Sequence, residues 1–301
     1  MNTSVTVCLC TYQRQSLREA LASLAHQCLP DAVKMNIVVA DNDPAESGRA
    51  VAEAFIREQQ LTLTYVLAGQ PGVAAARNCS VANADGEWLA FMDDDEEAAS
   101  DWLKTLLECA YAYHASVVIG AVHIRYPAET PAWIAEGDFF AKQLPSTGTR
   151  LNTGITSNAL VHRNALPDQK TPFNPAFNTV GGEDTELFSR IAASDQRIVA
   201  CREAQVFETV EQHRVCTNFL LRKALRVGET YARIFIAPKP LLNKTLALLR
   251  AGIQAIAAAL FALLLMPLGK TVYMRYVIKA LSNWGKLRHA LQRQPIELYK
   301  R

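Results

Sequence analysis

The sequence predicts an α/β fold, a mostly parallel sheet with helices on both faces, followed by a C-terminal helical segment of different character. Three observations point to it. Apolar, β-branched runs alternate with helix-period segments from residue 4 to about residue 124. Two of those runs, MNIVVADND (35–43) and WLAFMDDDEE (88–97), stop in clusters of carboxylates. From residue 213 onward the charge changes sign: 16 Lys and Arg stand against two acids, Glu229 and Glu297, a balance of +14, whereas the preceding chain carries 15 bases and 27 acids, or −12. With 301 residues, 50% hydrophobic and 20% charged, the chain has room for one large domain or two smaller ones.

The run SVTVCLC (4–10) is the first strand candidate, and Cys8 and Cys10, two apart, face one side of it as small core residues. Thr11 to Gln15 follow as a loop. Ser16 with Glu19 has the capping-box spacing, and Leu17, Leu21, Leu24 and Cys28 then recur at helical intervals. MNIVVA (35–40) supplies the second strand. A helix over about 46–59, a strand at 61–66, a helix from about Val73 and a strand at 87–92 come next, then a helix at about 100–114 and the strand SVVIGAVHI (116–124). Right-handed crossovers between such strands place both acidic clusters at carboxyl ends of the sheet, the edge where open α/β sheets bind ligands. Thr11, Tyr12, Asp41 and Asp93 to Asp95 would meet on that rim. Residues 125–182 are rich in Pro, Gly, Asn and Thr; a long irregular stretch of this kind is a functional or a disordered surface, and its Trp, Tyr and Phe content argues for order.

The seven cysteines show no CxxC spacing and no paired framework, which fits a reducing cytosol. The start, MNTSVTVCLCTY, lacks the basic lead and long apolar core of a signal peptide. There is no internal repeat, and no GxxxxGK[ST] loop of a P-loop NTPase.

Like charges stacked as in Asp93, Asp94 and Asp95 are unfavourable unless a cation offsets them, although a solvated acidic loop is the ordinary alternative. Asp93 and Asp95 can lean toward one ion, and paired hard oxygens suit Mg²⁺ or Mn²⁺. A metal there could stabilise a nucleotide diphosphate as leaving group. Asp41 alone reads first as a turn or helix-capping aspartate, and its place on the shared rim shifts that balance toward a ligand contact. GQPGVAAARN (69–78) sets a Gly-rich turn before a helix bearing Arg77, which can reach a phosphate or simply sit on a helix surface. Gly181-Gly182 permits close backbone approach, and Glu183-Asp184 then opens a helix whose dipole favours carboxylates; capping is one reading, proton abstraction from a hydroxyl the other.

In order, TYQR (11–14), VVADND (38–43), GVAAARN (72–78) with DGEWLAFMDDDE (85–96), and GGEDTELFSR (181–190) resemble the motifs of family-2 glycosyltransferases of the GT-A (Rossmann-like) fold. The similarity is greatest to bacterial exopolysaccharide glycosyltransferases of the succinoglycan-synthesis type, and it covers roughly residues 4–235. It implies nucleotide-sugar contacts at Thr11, Tyr12, Arg14, Asp41, Arg77, Asp93 and Asp94, with Asp41 accepting from the base. Asp93 and Asp95 match the outer residues of a DxD motif that holds Mg²⁺ or Mn²⁺. Asp184, with Glu183, matches the ED motif as catalytic base of a single inverting displacement. The donor base is usually uracil in such enzymes, and VVADND departs from their frequent second aspartate and serine. Neither Cys79 nor Ser157 is needed as a nucleophile. Trp133 and Asn158 fall where the acceptor is expected, with core burial the alternative for Trp133. His213 reads as a late metal ligand or a structural histidine, and Arg214 and Arg222 as phosphate contacts or a solvated helix face.

The tail reads separately. From Ala251 to Gly269 runs an uncharged stretch of 19 residues between Arg250 and Lys270, just long enough to span a bilayer. Both flanks are basic, which favours a re-entrant or in-plane helix over a crossing, with Pro267-Leu268-Gly269 as the break and Tyr273, Tyr276 and Trp284 at headgroup level. Nucleic acid would explain the charge but not the apolar run. Residues 1–235 are thus expected to form the catalytic domain and 236–301 a membrane-association region, attached through 241–290 to the cytoplasmic face of the inner membrane. The implied partners are a nucleotide sugar, expected to be a UDP-sugar, a lipid-linked glycan acceptor and membrane lipid, with no nucleic acid. A nucleotidyltransferase using the same carboxylates, or a catalytically silent membrane scaffold, are the alternatives.

Overall fold

A computed structural model describes residues 3–59 and 61–296; Glu297, Lys300 and Arg301, counted above in the basic tail, lie outside the described residues. Packing divides the chain into two units. The first comprises the residues up to Arg125 together with Lys142–Thr209, the second Tyr126–Ala141 together with Val210 onward. This division differs from the boundary expected at residue 235, which follows the extent of the family resemblance, whereas the units are set by packing.

In the first unit the elements are β1 (Thr3–Thr11), α1 (Leu17–Ala25), β2 (Val33–Asp41), α2 (Arg49–Glu58), β3 (Thr62–Leu67), α3 (Val73–Ala82), β4 (Trp88–Met92), β5 (Glu96–Ala98), α4 (Trp102–Ala112) and β6 (Val117–Arg125). After α5 (Ala132–Gly137), which belongs to the second unit, come β7 (Asn158–His162), α6 (Glu183–Ala193) and β8 (Ile198–Thr209). The strands form a single sheet in the order β3-β2-β1-β4-β7-β6-β8-β5. Four of its neighbouring pairs are parallel (β3/β2, β2/β1, β1/β4 and β6/β8) and three antiparallel, so it is a mixed sheet whose first half is the parallel one.

Strand alternation builds two cores. Val5, Val7 and Leu9 of β1 point to the face covered by α1, α2 and α4, where Leu21, Phe55 and Trp102 are buried. Cys8 points to the opposite face, under α3 and α6, with Phe91, Phe173 and Phe188. All seven cysteines are free thiols. Ser16 does stand at the N-cap of α1, but its side chain makes no capping hydrogen bond, so the expected capping box does not form. At β6 the register with β8 shifts between Gly120 and Ala121, where extra residues of β8 bulge out.

The second unit is helical. α7 (Thr217–Tyr231) runs into a π turn at Ala232–Ile236, followed by α8 (Leu241–Leu265), a short turn at Met266–Leu268 and α9 (Lys270–Ala290). Phe261 stacks on Tyr276 with ring centroids 5.7 Å apart, and Gly252 lies beside Leu287, so α9 returns antiparallel along α8. Only Ala251, Ala258 and Ala262 of α8 are buried, and its large residues face outward. Among the described residues, Leu241–Leu268 is one helix long and apolar enough to cross a membrane.

Candidate active site

Because β1, β2 and β4 run parallel, their carboxyl ends share one edge, and Thr11 lies directly opposite Asp41 in register. Just past β4 the chain turns: the Glu96 amide donates to the Asp93 carbonyl (3.3 Å), and the Asp93 amide donates to Glu96 Oε2 (2.8 Å). This turn separates the three aspartates. Asp94 points inward and accepts from Thr11 Oγ1 at 2.7 Å; burial, reinforced by the charge of Asp95, pushes its pKa up to about 7. Asp93 and Asp95 are each held by an arginine instead. Asp93 Oδ1 accepts from Arg77 Nη2 at 3.0 Å, and Asp95 lies 3.2 Å from Arg14 Nη1. Glu96 is fully buried, which, together with the charge of Asp93, raises its pKa well above the carboxylate range; its Oε1 has no hydrogen-bond partner among the described residues.

The ED pair reaches the same place by a different route. Gly181 and Gly182 adopt φ of 68° and 93°, the left-handed region, and turn the chain sharply into α6. The preceding loop is fastened to α3, since Asn178 Oδ1 accepts from the Ala75 amide (2.9 Å) and a Cβ at Gly72 would overlap the Asn178 side chain. Glu183 therefore enters the interior, 4% exposed, and its Oε1 accepts from Nη1 of Arg77, itself 8% exposed. Arg77 thus bridges the DxD and ED motifs. Burial works against its charge, but Glu183 and then Asp93 more than offset this and raise its pKa. Asp184, next to Glu183 on α6, is half-buried, and its Oδ1 accepts from the Thr185 amide (2.6 Å) and hydroxyl (3.2 Å).

Thr11, Arg14, Arg77, Asp93, Asp94, Asp95, Glu183 and Asp184 are linked through this one site by hydrogen bonds, ion pairs or chain neighbourhood. Tyr12, which follows Thr11, is half-buried. Three further candidates are placed as follows. Asp41 is 0% exposed, and its oxygens accept from the amides of Asp43 (2.8 Å) and Gly48 (2.7 Å) and from the Tyr65 hydroxyl (2.7 Å), so it organises the turn after β2. Asn158, also 0% exposed, takes Trp102 Nε1 (2.8 Å) and donates to the carbonyls of Ala121 (2.8 Å) and Ala204 (2.9 Å), so it plugs the β6/β8 bulge and has nothing left for an acceptor sugar. Trp133 belongs to the second unit, where Lys270 Nζ stands 4.6 Å from its ring centroid. Arg214 is buried and paired with Glu211 at 3.1 Å, so it is not on a solvated face, while His213 is exposed and 3.0 Å from the other Glu211 oxygen.

Sequence reasoning passed over Glu96, Asn42 and Asn178. Asn42 ties the end of β2 to the Gly-rich turn, donating to the carbonyls of Gln70 (3.1 Å) and Gly72 (3.2 Å) and accepting from the Gly72 amide (3.0 Å). A buried amide spanning three backbone groups leaves no periodic signal. A divalent cation fits the chemistry of the donor set: Asp93 and Asp95 are hard oxygen donors, each held by an arginine, while Asp94 is withdrawn to Thr11. Among the described residues no group of three or more His, Cys, Asp or Glu side chains could hold a metal.

A mixed sheet of eight strands with carboxylates gathered at the ends of its parallel half is the arrangement of a GT-A glycosyltransferase. Comparison with known proteins agrees. The model for "Glycosyl transferase family 2" matches residues 6–168, and the chain belongs to that family. It is 32% identical to the "Succinoglycan biosynthesis protein ExoM" of Rhizobium meliloti over 98% of this chain and 95% of that one. It is also 22% identical to the "Glycosyltransferase AglE" of Haloferax volcanii, over 78% of this chain and 75% of that one. Among solved structures, a mannosyltransferase from Pyrobaculum calidifontis in complex with GDP-Man and Mn²⁺ superposes with a TM-score of 0.67 at 19% identity, covering 98% of this chain and 89% of that one. TarS residues 1–349 of S. aureus with UDP gives a TM-score of 0.51 at 16% identity, covering 96% and 92%. Of the three function readings, glycosyltransferase is the one these relatives support.

Proposed function

We propose that the protein is an inverting glycosyltransferase of exopolysaccharide synthesis. It takes a sugar from a nucleotide donor, a UDP-sugar in our reading, to a lipid-linked or polysaccharide acceptor at the cytoplasmic face of the inner membrane. The observation that carries this reading is Arg77, which joins Asp93 of the DxD turn to Glu183 of the ED motif and so brings Asp184 to the metal-type carboxylates. The succinoglycan-synthesis relative supports the pathway, and the neighbours bound to GDP-Man or UDP support a nucleotide donor.

Asp93 and Asp95 would hold Mg²⁺ or Mn²⁺, which supplies charge stabilisation for the departing diphosphate. Asp184 is the only carboxylate of the ED pair not buried against Arg77, so it is the one able to meet an acceptor hydroxyl and take its proton as oxygen attacks C1. Glu183 and Arg77 position it. Thr11, Tyr12 and Arg14 line the donor side, and attachment through 241–290 keeps the site at the membrane.

The test is to supply the membrane-bound full chain with a panel of labelled nucleotide sugars, membrane lipid extract and Mg²⁺ or Mn²⁺, reading product and anomeric configuration. Asp95→Ala should abolish metal-dependent donor binding. Asp184→Asn should keep donor affinity and lower turnover by ~10² to 10⁴, the usual worth of general-base action. Turnover of Asp184→Asn within a few-fold of wild type places the base elsewhere, and a retained anomeric configuration excludes single displacement.

A further inference from the structure

The first unit contains a pocket of about 280 Å³ beside the proposed base. Its deepest residues are Ile119 and Val122 of β6, both buried. Half-buried Leu144, Leu151 and Ile155, from the loop before β7, form its walls, and exposed Lys142, Gln143 and Thr153 stand at its rim. Thr185 of α6 completes the lining. The amide and hydroxyl of that threonine donate to Asp184 Oδ1, so the pocket begins one residue from the proposed base.

The protein itself holds the walls in place. Arg202 Nε donates to the carbonyls of Leu144 (2.9 Å) and Pro145 (3.1 Å), and the Leu151 amide donates to the Ile198 carbonyl (2.9 Å), which ties the loop to β8. Thr153 Oγ1 donates to the Thr185 carbonyl at 3.3 Å and ties it to α6. Gly154 lets the loop lie close, since a Cβ there would stand 2.6 Å from Ile119 Cδ1. A preformed hollow with an apolar floor and a few polar groups at its mouth is suited to one small group of a ligand.

Chemistry and place decide which group. A bare sugar ring carries a hydroxyl on nearly every carbon, and a hydroxyl pressed against Ile119, Val122 and Leu151 loses water without gaining a partner. A short acyl group on the sugar removes that difficulty. It sets a methyl on the apolar floor and leaves a carbonyl for a donor at the rim, such as Lys142, whose ammonium has three hydrogens and gives one to Ser157 Oγ at 3.4 Å. The place selects the acceptor, because its hydroxyl is the one that must meet Asp184, whereas the donor sugar is held through its diphosphate at the Asp93–Asp95 turn. The lipid of a lipid-linked acceptor is set apart from the attacking hydroxyl by at least one sugar.

We propose that this pocket takes a short acyl substituent, acetyl in size, on the acceptor sugar, and so selects an acylated acceptor over its unmodified parent. The proposal rests on the reading of Asp184 as the base that meets the acceptor.

The test uses the full chain in phosphatidylcholine nanodiscs, isotope-labelled at the isoleucine δ1 methyls, with the Ile119 and Ile155 signals assigned from Ile119→Val and Ile155→Val. It is titrated with methyl hexopyranosides and with their mono-O-acetyl and N-acetyl derivatives. At least one acetylated member should bind about tenfold more tightly than its parent and shift both methyl signals. Leu144→Trp, which fills the pocket from its wall, should abolish that preference. The wild-type signals carry the result if this variant fails to fold.

Equal binding of every acetylated compound and its parent overturns the proposal, as does a preference that leaves both methyls unmoved. If UDP-N-acetylglucosamine shifts them and UDP-glucose does not, the acyl group is the donor's. If octyl glycosides shift them as the acetylated ones do, the pocket takes a lipid chain. Either result overturns the acceptor assignment. The reaction is tested apart from this: an acetyl preference with no transfer from any nucleotide sugar removes the reaction and its acceptor together, whereas transfer with no acetyl preference removes the role of this pocket alone.

Discussion

Arg77 is where single residues matter most, because two carboxylates from distant parts of the chain depend on one guanidinium. Arg77→Met should destabilise the first unit by about 3–5 kcal/mol, since it leaves Glu183 buried without its counter-charge. Equilibrium denaturation measures this, and Glu183→Gln in the same background should recover part of the loss; no recovery would mean that the pair is not coupled. Asn158→Ala should likewise appear in stability and not in acceptor recognition. It orphans the Trp102 indole and two bulge carbonyls, at about 1–3 kcal/mol for each group left unsatisfied. A variant of normal stability with a raised acceptor KM would restore the acceptor role. The contrast between these residues shows what the sequence can tell. Asp93, Asp95, Arg77 and Glu183 stand out in the sequence because each sits in a short motif, yet Arg77, which reads there as a phosphate contact or a surface helix residue, is buried between Glu183 and Asp93. Asp41 looked the same in one dimension, yet three donors from β2's own turn and from β3 close around it, and local sequence does not reveal that enclosure.

At the scale of elements, β1 to β4 and their helices fall within a few residues of their expected places, since parallel strands buried on both faces read as continuous apolar runs. β5, β7 and β8 escaped notice for a physical reason. They are paired antiparallel or across long connections, and β8 carries a bulge that breaks its alternation. The helical unit hid its own packing rule as well. Gly228 of α7 and Gly285 of α9 let the two backbones touch: a Cβ on Gly228 would lie 1.9 Å from the Ser282 carbonyl oxygen, and one on Gly285 2.2 Å from that of Leu225. Backbone cannot swing aside as a side chain would. Gly285→Ala should therefore cost about 1–3 kcal/mol of overpacking, despite the higher helix propensity of Ala. Hydrogen exchange across α7 and α9 reads this directly, with faster exchange on both helices in the variant; unchanged protection would show that the crossing is looser than this.

For the molecule as a whole, the question is whether the apolar helix crosses the bilayer, and the hairpin bears on it through α9. Because Phe261 stacks on Tyr276 and Gly252 lies beside Leu287, the middle of the uncharged run 251–269 lies alongside Arg275 and Lys279, both exposed. Were α8 to span, those two cations would be carried toward the centre of the hydrocarbon, at about 2.5–3.5 kcal/mol each on insertion scales. Lying in the interface, α8 can sink its leucines while α9 keeps its charges at headgroup level. Cutting the chain after residue 240 removes the hairpin but is not neutral for what remains, since α7 loses α9 and Glu229, 5% exposed, loses Arg288. The truncated chain should leave the membrane, yet bind hydrophobic dye and unfold more readily than the full chain. The full chain, by contrast, should stay bound in moderate salt, because screening weakens the attraction of the bases but not the burial of leucine. A tag appended to the C-terminus should be open to protease from the side on which the first unit lies. A tag reached only from the opposite side would make α8 a true span, and release by salt alone would make it a helix that never enters the lipid.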